Sequence, residues 1–571
     1  MRRKLNIKRD IVKECIDLDF DSSLVYDAHI QKSIDWYKSQ ITPPTNRQVV
    51  DFNEKYDCLL RELRDSKYNN LLTKPLCLSS YNNNSNTITN EQSLEDHKPN
   101  DYDNDGKKDI ARKILNTINS TNSITNVSWF DKRDIAHKLQ HLHILAAYLT
   151  AETIPKGSIT LESYKNDLID NNRSLYSPQT ETKNTSYDEF KCPPGTVCVC
   201  VDVNDDAITL TRHEPDNKPM VIRFPIKLGP FEALEKLQSI IENGFQFEDY
   251  IDDANKYWSH HLEVEGEMSL FLKQLEEEWI GDYDVFVNTM HSITEESKGN
   301  VALKEQLEPL LSAVEIELIN LHAANGNMRA VNAMCRSVGM ENMRLDVGKN
   351  ISNASKPIYN HLILICDRTA SQIPWESMQF LKDVSVTRAV SLRQVTEWIF
   401  SDKVSLECPR YIVNPDDNLP STELQFEKEL QRLGAKGLTG RVQKDEVLNQ
   451  LKESTIFIYI GHGAGRKYLP STIIRRSFKL RASVLLFGCN SLEVENCFYD
   501  NDTVTDYAVA GANCYLGTLW AVRDKDENRF TKELLKLIFQ NRSMSQAMKM
   551  AKKACALAYL TSGAQVVYGL K

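Results

Sequence analysis

Two short apolar runs near the carboxyl end constrain this chain more than any other feature, because each ends on glycine next to a reactive side chain. They read IFIYIGHGAG, Ile456 to Gly465, and SVLLFGCNS, Ser483 to Ser491. Both are unbroken aliphatic and β-branched stretches, the pattern of strands covered on both faces in a parallel sheet. Each delivers one reactive group, His462 or Cys489, at its carboxyl end, where open α/β sheets build their sites. An imidazole beside a thiol is a proton acceptor beside a nucleophile, which is the chemistry of cysteine hydrolases.

The surrounding text supports that sheet. From His361 onward the strands HLILICD, RYIVN, TIFIYIGH, SVLLFGC and CYLGTLW alternate with helical stretches, which implies right-handed crossovers and a mainly parallel sheet. A chain of 571 residues exceeds one core, and about two to four domains are expected. Residues 350–571 read as the α/β domain. Residues 191–345 read as a mixed domain, in which TVCVCVDV, AITLTRH and PMVIRFPIKL form strands. Long amphipathic helices follow, from about 230 to 340. Residues 1–170 read as an all-α region with a polar Asn- and Ser-rich insert near 79–108, too poor in apolar residues to order itself. A second polar stretch, 170–190, reads as a linker.

Composition excludes several function classes. The formal charge is −10, and Lys and Arg are not clustered, so direct nucleic-acid binding is not expected. The 13 cysteines lack the spacing of a disulfide framework, which points to a reducing compartment. MRRKLNIKRDIVKE has no apolar signal core, and no run approaches the roughly 18 apolar residues of a membrane span. The expectation is a protein of cytoplasm and nucleus.

Glycine surrounds both reactive residues: Gly461, Gly463 and Gly465 flank His462, and Gly488 precedes Cys489. Glycine lets backbone bend sharply and approach a substrate closely. The N–H groups of Gly463 and Cys489 are candidates for an oxyanion hole, worth roughly 3–4 kcal/mol per donor. A thiol with pKa about 8.5 is scarcely ionised at neutral pH, so a nearby imidazole is useful. Either residue alone reads more simply as a core residue ending a strand; the pair carries the catalytic reading.

Other patterns carry less. DYDNDGKKDIAR, Asp101 to Arg112, imitates a calcium loop but has Arg112 where a bidentate Glu should close it. His137, His141 and His143 lie on a helical stretch without the Glu of a zinc-protease helix. Cys192, Cys198 and Cys200 give strand alternation rather than a metal pair. No metal or cofactor is called for.

The HG…GC pattern is similar to that of caspase-fold peptidases, and the flanking text resembles the separases. The similar stretches are YIGHGAGRKYL, SVLLFGCNS, IPWESMQFL with VTRAVSLRQV, VNPDDNLPSTELQF, LGTLWAVRDKD and the terminal GAQVVYGLK, all in the family's order. The resemblance is strong over 357–571, weaker over 191–342 and absent before. It implies a caspase-like domain, with His462 as general base and Cys489 as nucleophile forming a thioester. It also implies cleavage after Arg in the kleisin subunit of cohesin, and a securin-like pseudosubstrate inhibitor as partner. An arginine pocket needs carboxylates. The segment after Trp520 resembles the family's acidic loop and offers Asp524 and Asp526. Here Ala521 stands where the family usually has Asp, and Arg523 adds a positive charge. Glu341 to Arg344 fits the family's loose cleavage motif, making Arg344 a self-cleavage candidate. Glu376, in IPWESMQFL, reads as a packing and cap residue. Two other readings stay open: a catalytically silent caspase-fold scaffold binding a partner in the cleft, and a different Arg- or Lys-specific caspase-fold peptidase.

Overall fold

The run TVCVCVDV (Thr196–Val203) is a strand buried along its whole length, as a strand covered on both faces must be. The computed structural model describes residues 47–78, 102–121, 129–150, 190–245, 254–280, 361–399, 405–494 and 502–570, less a few stretches of one to three residues within them. In chain order its strands are β1 (Leu76–Leu78), β2 (Thr196–Val203), β3 (Ala207–His213), β4 (Met220–Pro225), β5 (His361–Cys366) and β6 (Ser385–Ala389). They continue with β7 (Pro409–Val413), β8 (Lys436–Thr439), β9 (Ile456–Ile460), β10 (Ser483–Phe487), β11 (Cys514–Thr518) and β12 (Gln565–Gly569).

β2 pairs antiparallel with β3, which pairs with β4, so the expected strand block is present. On its other side β2 pairs in parallel with β5 over six registered positions, Thr196 with His361 through Val201 with Cys366. The strand block therefore extends the same sheet as the α/β region, and the chain from Thr45 onward is one compact unit.

Among the described residues the sheet has 12 strands in the order β1-β4-β3-β2-β5-β6-β12-β11-β10-β9-β7-β8. It is parallel through β2, β5 and β6, and again through β11, β10, β9, β7 and β8. β12 lies between the two runs, antiparallel to β11 and bridging β6 at Tyr568 and Arg388. The expected mainly parallel sheet flanked by helices is what the chain forms. Strands β1, β6, β8 and β12 are additional to those read from the sequence. Arg388 interrupts the apolar pattern of β6, and β8 is a four-residue strand with no buried position.

Alternate residues of the central strands enter different cores. Phe457, Tyr459, Val484 and Leu486 join one cluster; Ile456, Ile458, Ile460, Leu485 and Phe487 join the other. The second cluster is covered by α11 (Asp524–Phe539), whose Phe530, Leu534, Leu537 and Ile538 repeat at helical spacing. Helices α4 (Pro230–Asn243) and α5 (Ala254–Trp279) cover the first, with Val264, Met268, Phe271, Leu275 and Trp279 buried. The remaining crossover helices are α6 (Leu392–Ile399), α7 (Pro420–Arg432), α8 (Lys444–Glu453), α9 (Ser471–Arg476), α10 (Thr503–Ala510) and α12 (Met544–Ala551).

Helices α1 (Arg47–Asp65), α2 (Tyr102–Ser120) and α3 (Trp129–Thr150) form a third cluster that reaches Val221 of β4. α2 begins inside the tract expected to lack order. Ile110 and Ile114 give it one buried stripe, and the calcium-like run from Tyr102 to Arg112 is part of this helix. His141 lies inside this cluster, its Nδ1 2.7 Å from the Tyr56 hydroxyl. Arg344 and the helical stretch beyond residue 280 lie outside the described residues.

Candidate active site

β9 and β10 are parallel neighbours in register, Ile460 opposite Phe487, and the Gly461 N–H donates to the Phe487 carbonyl at 3.1 Å. The turns beyond them touch. A Cβ on Gly488 would stand 2.3 Å from the Gly461 carbonyl oxygen and 2.5 Å from that of Gly463, so no side chain fits there. Gly463 has φ +56°, and its Cβ position would lie 3.9 Å from the Cys489 carbonyl oxygen. The residues that follow the two strands, His462 and Cys489, are thereby held on adjoining turns at one sheet edge, and the Gly463 amide lies at their junction.

His462 is exposed, with Nε2 3.1 Å from Asn418 Oδ1. An amide oxygen only accepts, so Nε2 is the donor in this contact. Asn418 comes from the turn after β7, which is tied down on three sides. Asn414, at φ 53°, donates its N–H to the Ile460 carbonyl at 2.8 Å. Its Oδ1 accepts from the N–H of Asn418 at 2.9 Å and of Leu419 at 2.8 Å. Its Nδ2 donates to Glu423 on α7 at 2.6 Å. In the same turn Asp416 accepts from Lys467 and from the Tyr468 hydroxyl, and these bonds hold its carboxyl below the usual carboxylate range. The neighbouring imidazole adds to the lowering of the same carboxyl.

Cys489 is half-buried. Its Sγ accepts from the Val522 N–H at 3.4 Å and lies 3.5 Å from the Val522 carbonyl oxygen. Burial raises the thiol above its usual range; the Val522 backbone opposes this, and the charges of Glu527 and Asp524 add to it. A thiol raised in this way needs an adjacent base to become a nucleophile at neutral pH.

The acidic segment divides. Trp520 is buried and donates Nε1–H to the Leu560 carbonyl at 2.8 Å, a structural anchor for the loop. Arg523 reaches the helices that precede the α/β region. It donates to the Gly244 carbonyl at 2.6 Å, meets His261 Nε2 at 3.1 Å and lies over the Phe245 ring at 4.7 Å. Glu265 of α5 holds the other side, accepting from the N–H groups of Tyr559 at 2.8 Å and Leu560 at 2.9 Å. Asp524 is exposed and Asp526 is buried, while Glu527 is buried beside them. Asn418, Asp416 and Glu527 are not reached by the sequence reading. The turn letters NPDDN after a buried strand of the same sheet are the available signal for the first two.

Glu376 is a packing residue, paired with Arg388 through two 2.7 Å hydrogen bonds. A cavity of about 390 Å³ opens at the amino-terminal ends of β2, β5 and β6, lined by Thr196, His361 and Ser385 among others, and shares no residue with the His462–Cys489 edge. Among the described residues no helix is long and apolar enough to cross a membrane.

Residues 284–526 match the family model of the separin protease domain. Mouse separin is 28% identical over 430 residues, covering 69% of this chain and 20% of the relative. Fission yeast (Schizosaccharomyces pombe) separin is 22% identical over 538 residues, covering 81% of this chain and 29% of the relative. Budding yeast (Saccharomyces cerevisiae) separin is 31% identical over 242 residues, 37% of this chain and 14% of the relative. The chain thus spans less than a third of these relatives' lengths. A solved budding yeast separase–securin complex shares the fold, with a TM-score of 0.74 at 18% identity, covering 98% of this chain and 42% of that one.

Proposed function

With a separase-type protease domain as the premise, we propose that this chain is a cysteine endopeptidase that cleaves after Arg in the kleisin subunit of cohesin, releasing sister chromatids at anaphase. The observation that carries it is the contact of the β9 and β10 turns through Gly488, which sets His462 and Cys489 on adjoining turns.

In this reading Asn418 holds the imidazole by its Nε2–H, and Nδ1 takes the proton of the Cys489 thiol as substrate binds. The sulfur attacks the scissile carbonyl carbon. The N–H groups of Gly463 and Cys489 receive the charge that develops on its oxygen. The C–N bond then breaks, the departing amine takes the proton from His462, and a thioester remains on Cys489. Water gives a proton to His462 and attacks the thioester, releasing the new carboxylate and restoring the thiol. The high thiol pKa fits general-base activation better than a standing thiolate. A securin-like pseudosubstrate is the matching partner, since the solved yeast relative is a complex with securin. Cytoplasm and nucleus are the proposed locations.

The test uses the purified chain and peptides carrying Arg after an acidic stretch, with Lys and Asp versions alongside. Cleavage after Arg that is lost in Cys489→Ser, together with covalent labelling of Cys489 by an Arg-based acyloxymethyl ketone, is expected. Equal inertness of wild type and Cys489→Ser would overturn the proposal in favour of a silent scaffold. Preference for Asp or Lys would overturn the substrate assignment.

A further inference from the structure

Two thiols at the amino-terminal end of β2 meet across a tight turn. Cys192 stands just before the run Pro193, Pro194 and Gly195, and Cys198 lies within β2. The Pro193 carbonyl closes the turn by accepting from the Thr196 N–H at 3.1 Å and from the Thr196 hydroxyl at 2.6 Å, and Gly195 completes it at φ +71°. Thr196 and Cys198 share one face of the strand. The reversed chain lays Cys192 over both, with its Sγ 3.4 Å from the Thr196 carbonyl oxygen and 3.5 Å from the Cys198 Sγ. Neither sulfur is in a disulfide.

A disulfide needs its sulfurs roughly 2.0 Å apart, so this pair is one small side-chain shift from a bond. Cys200 shares the strand face with Cys198 but sits about 6.6 Å along it, too far for bonded cysteines, whose Cβ atoms lie roughly 4 Å apart. The two thiols are not equivalent. Cys198 is fully buried, whereas Cys192 is 7% exposed. Cys192 also adjoins the cavity of about 390 Å³ described above, because Pro193, Pro194, Gly195 and Thr196 line it together with Ser543 and Ser545 at the start of α12. The hydrogen bond with Cys198 lowers the Cys192 thiol against the cost of burial, while burial raises Cys198 well above its ordinary value.

We propose that Cys192 and Cys198 form a redox modification site, in which hydrogen peroxide entering the cavity oxidises Cys192 and Cys198 resolves the product to a disulfide. The Cys192 sulfur attacks one peroxide oxygen and the O–O bond breaks. The other oxygen leaves as water with the thiol proton, and Cys192 becomes a sulfenic acid. The Cys198 sulfur then attacks the Cys192 sulfur, the S–O bond breaks, and the hydroxyl departs with the Cys198 proton as a second water. The two thiols together lose the two electrons that the peroxide gains. In a reducing compartment the pair rests as a dithiol, which suits a reversible site rather than a structural bond. The cavity shares no residue with the His462–Cys489 edge, so the site does not depend on the endopeptidase reading.

The experiment treats the purified full chain with hydrogen peroxide, alkylates the remaining thiols and maps the unreduced tryptic digest by tandem mass spectrometry. The peptide from Cys192 to Arg212 holds three cysteines, Cys192, Cys198 and Cys200. It is expected to carry one alkyl group, on Cys200, to be lighter by two hydrogens, and to regain all its thiols in dithiothreitol. In Cys198→Ser the reaction should stop at a Cys192 sulfenic acid that dimedone captures, and in Cys192→Ser capture at Cys198 should be at least about tenfold slower. Ser545→Phe, which fills the cavity, should slow pairing by about fivefold or more. A peptide that keeps all three alkyl groups after the exposed Cys58 is fully oxidised, or a bond that involves Cys200, overturns the site, and the wild-type chain alone decides this. Equal dimedone capture in the two single variants, or unslowed pairing in Ser545→Phe, overturns the role of Cys192 as the thiol reached through the cavity.

Discussion

The carboxyl ends of β5 and β10 lie in the same sheet and treat polar groups in opposite ways. After β5, Asp367 caps a helical turn by accepting from the Ala370 N–H at 2.7 Å, and it also accepts from the Val203 N–H at 3.0 Å. Nearby Arg388 is enclosed by Glu376 and by the carbonyls of Ser371 and Ile373 at 2.6 and 2.7 Å. After β10, the thiol is half-exposed, the imidazole on the adjoining turn is open to solvent, and Glu527 carries an unmet oxygen. The polar groups named after β5 are satisfied within the chain. On the endopeptidase reading proposed above, those after β10 are left for the substrate to satisfy.

That contrast can be broken first at its closed end. Glu376→Gln strands the Arg388 charge inside the sheet and should cost about 3–5 kcal/mol, read as a fall in the denaturant midpoint. Burial would raise the Glu376 pKa, but Arg388 outweighs that and holds it low. The pair's contribution is therefore present at neutral pH and lost as pH falls through the depressed native value. A silent substitution would mean the closed end is not what holds the sheet.

Acid sharpens the same comparison. His213 on β3 and His361 on β5 are pushed by burial down to about 3 and about 4, below the ordinary 6.5. The unfolded chain binds those protons first, so stability is whole above 6.5 and is lost as pH falls from there toward 4. Unfolding free energies at about pH 7.5 and about pH 5.5 should differ by about 3 kcal/mol on account of these two rings. His361→Gln should remove about half of that difference.

At the open end the effects should fall on rate rather than stability. Asn418→Ala frees the imidazole to rotate and should lower kcat by about 10- to 100-fold with little change in KM or melting temperature. Parallel losses in kcat and stability would make Asn418 a fold residue like Asp367. The smallest expected effect is at Arg523→Ala, which unhooks the acidic loop from α5 and should cost about three- to tenfold in kcat/KM.

His462 and Cys489 are legible in the sequence because glycine and a reactive residue close two buried apolar strands, a local pattern. Asn418 is not, since it meets His462 across 44 residues and only strand order brings the β7 turn beside β9. Glu527 is hidden differently. Asp524, Asp526 and Glu527 read alike as an acidic helix start, and only helix phase against the core decides which is exposed, which is closed and which is open. The parallel sheet is evident from its apolar runs; β6 and β12 are obscured by the polar residues Arg388 and Gln565 within them.

The six-residue pairing of β2 with β5 has a consequence for any break in the polypeptide between residues 281 and 360. Each fragment would own part of one continuous hydrogen-bonded ladder, and α5 would still grip the loop beside the thiol through Glu265 and His261. A nicked molecule would migrate as two bands under denaturing conditions and as one particle under native ones, with its nucleophile still framed by both pieces.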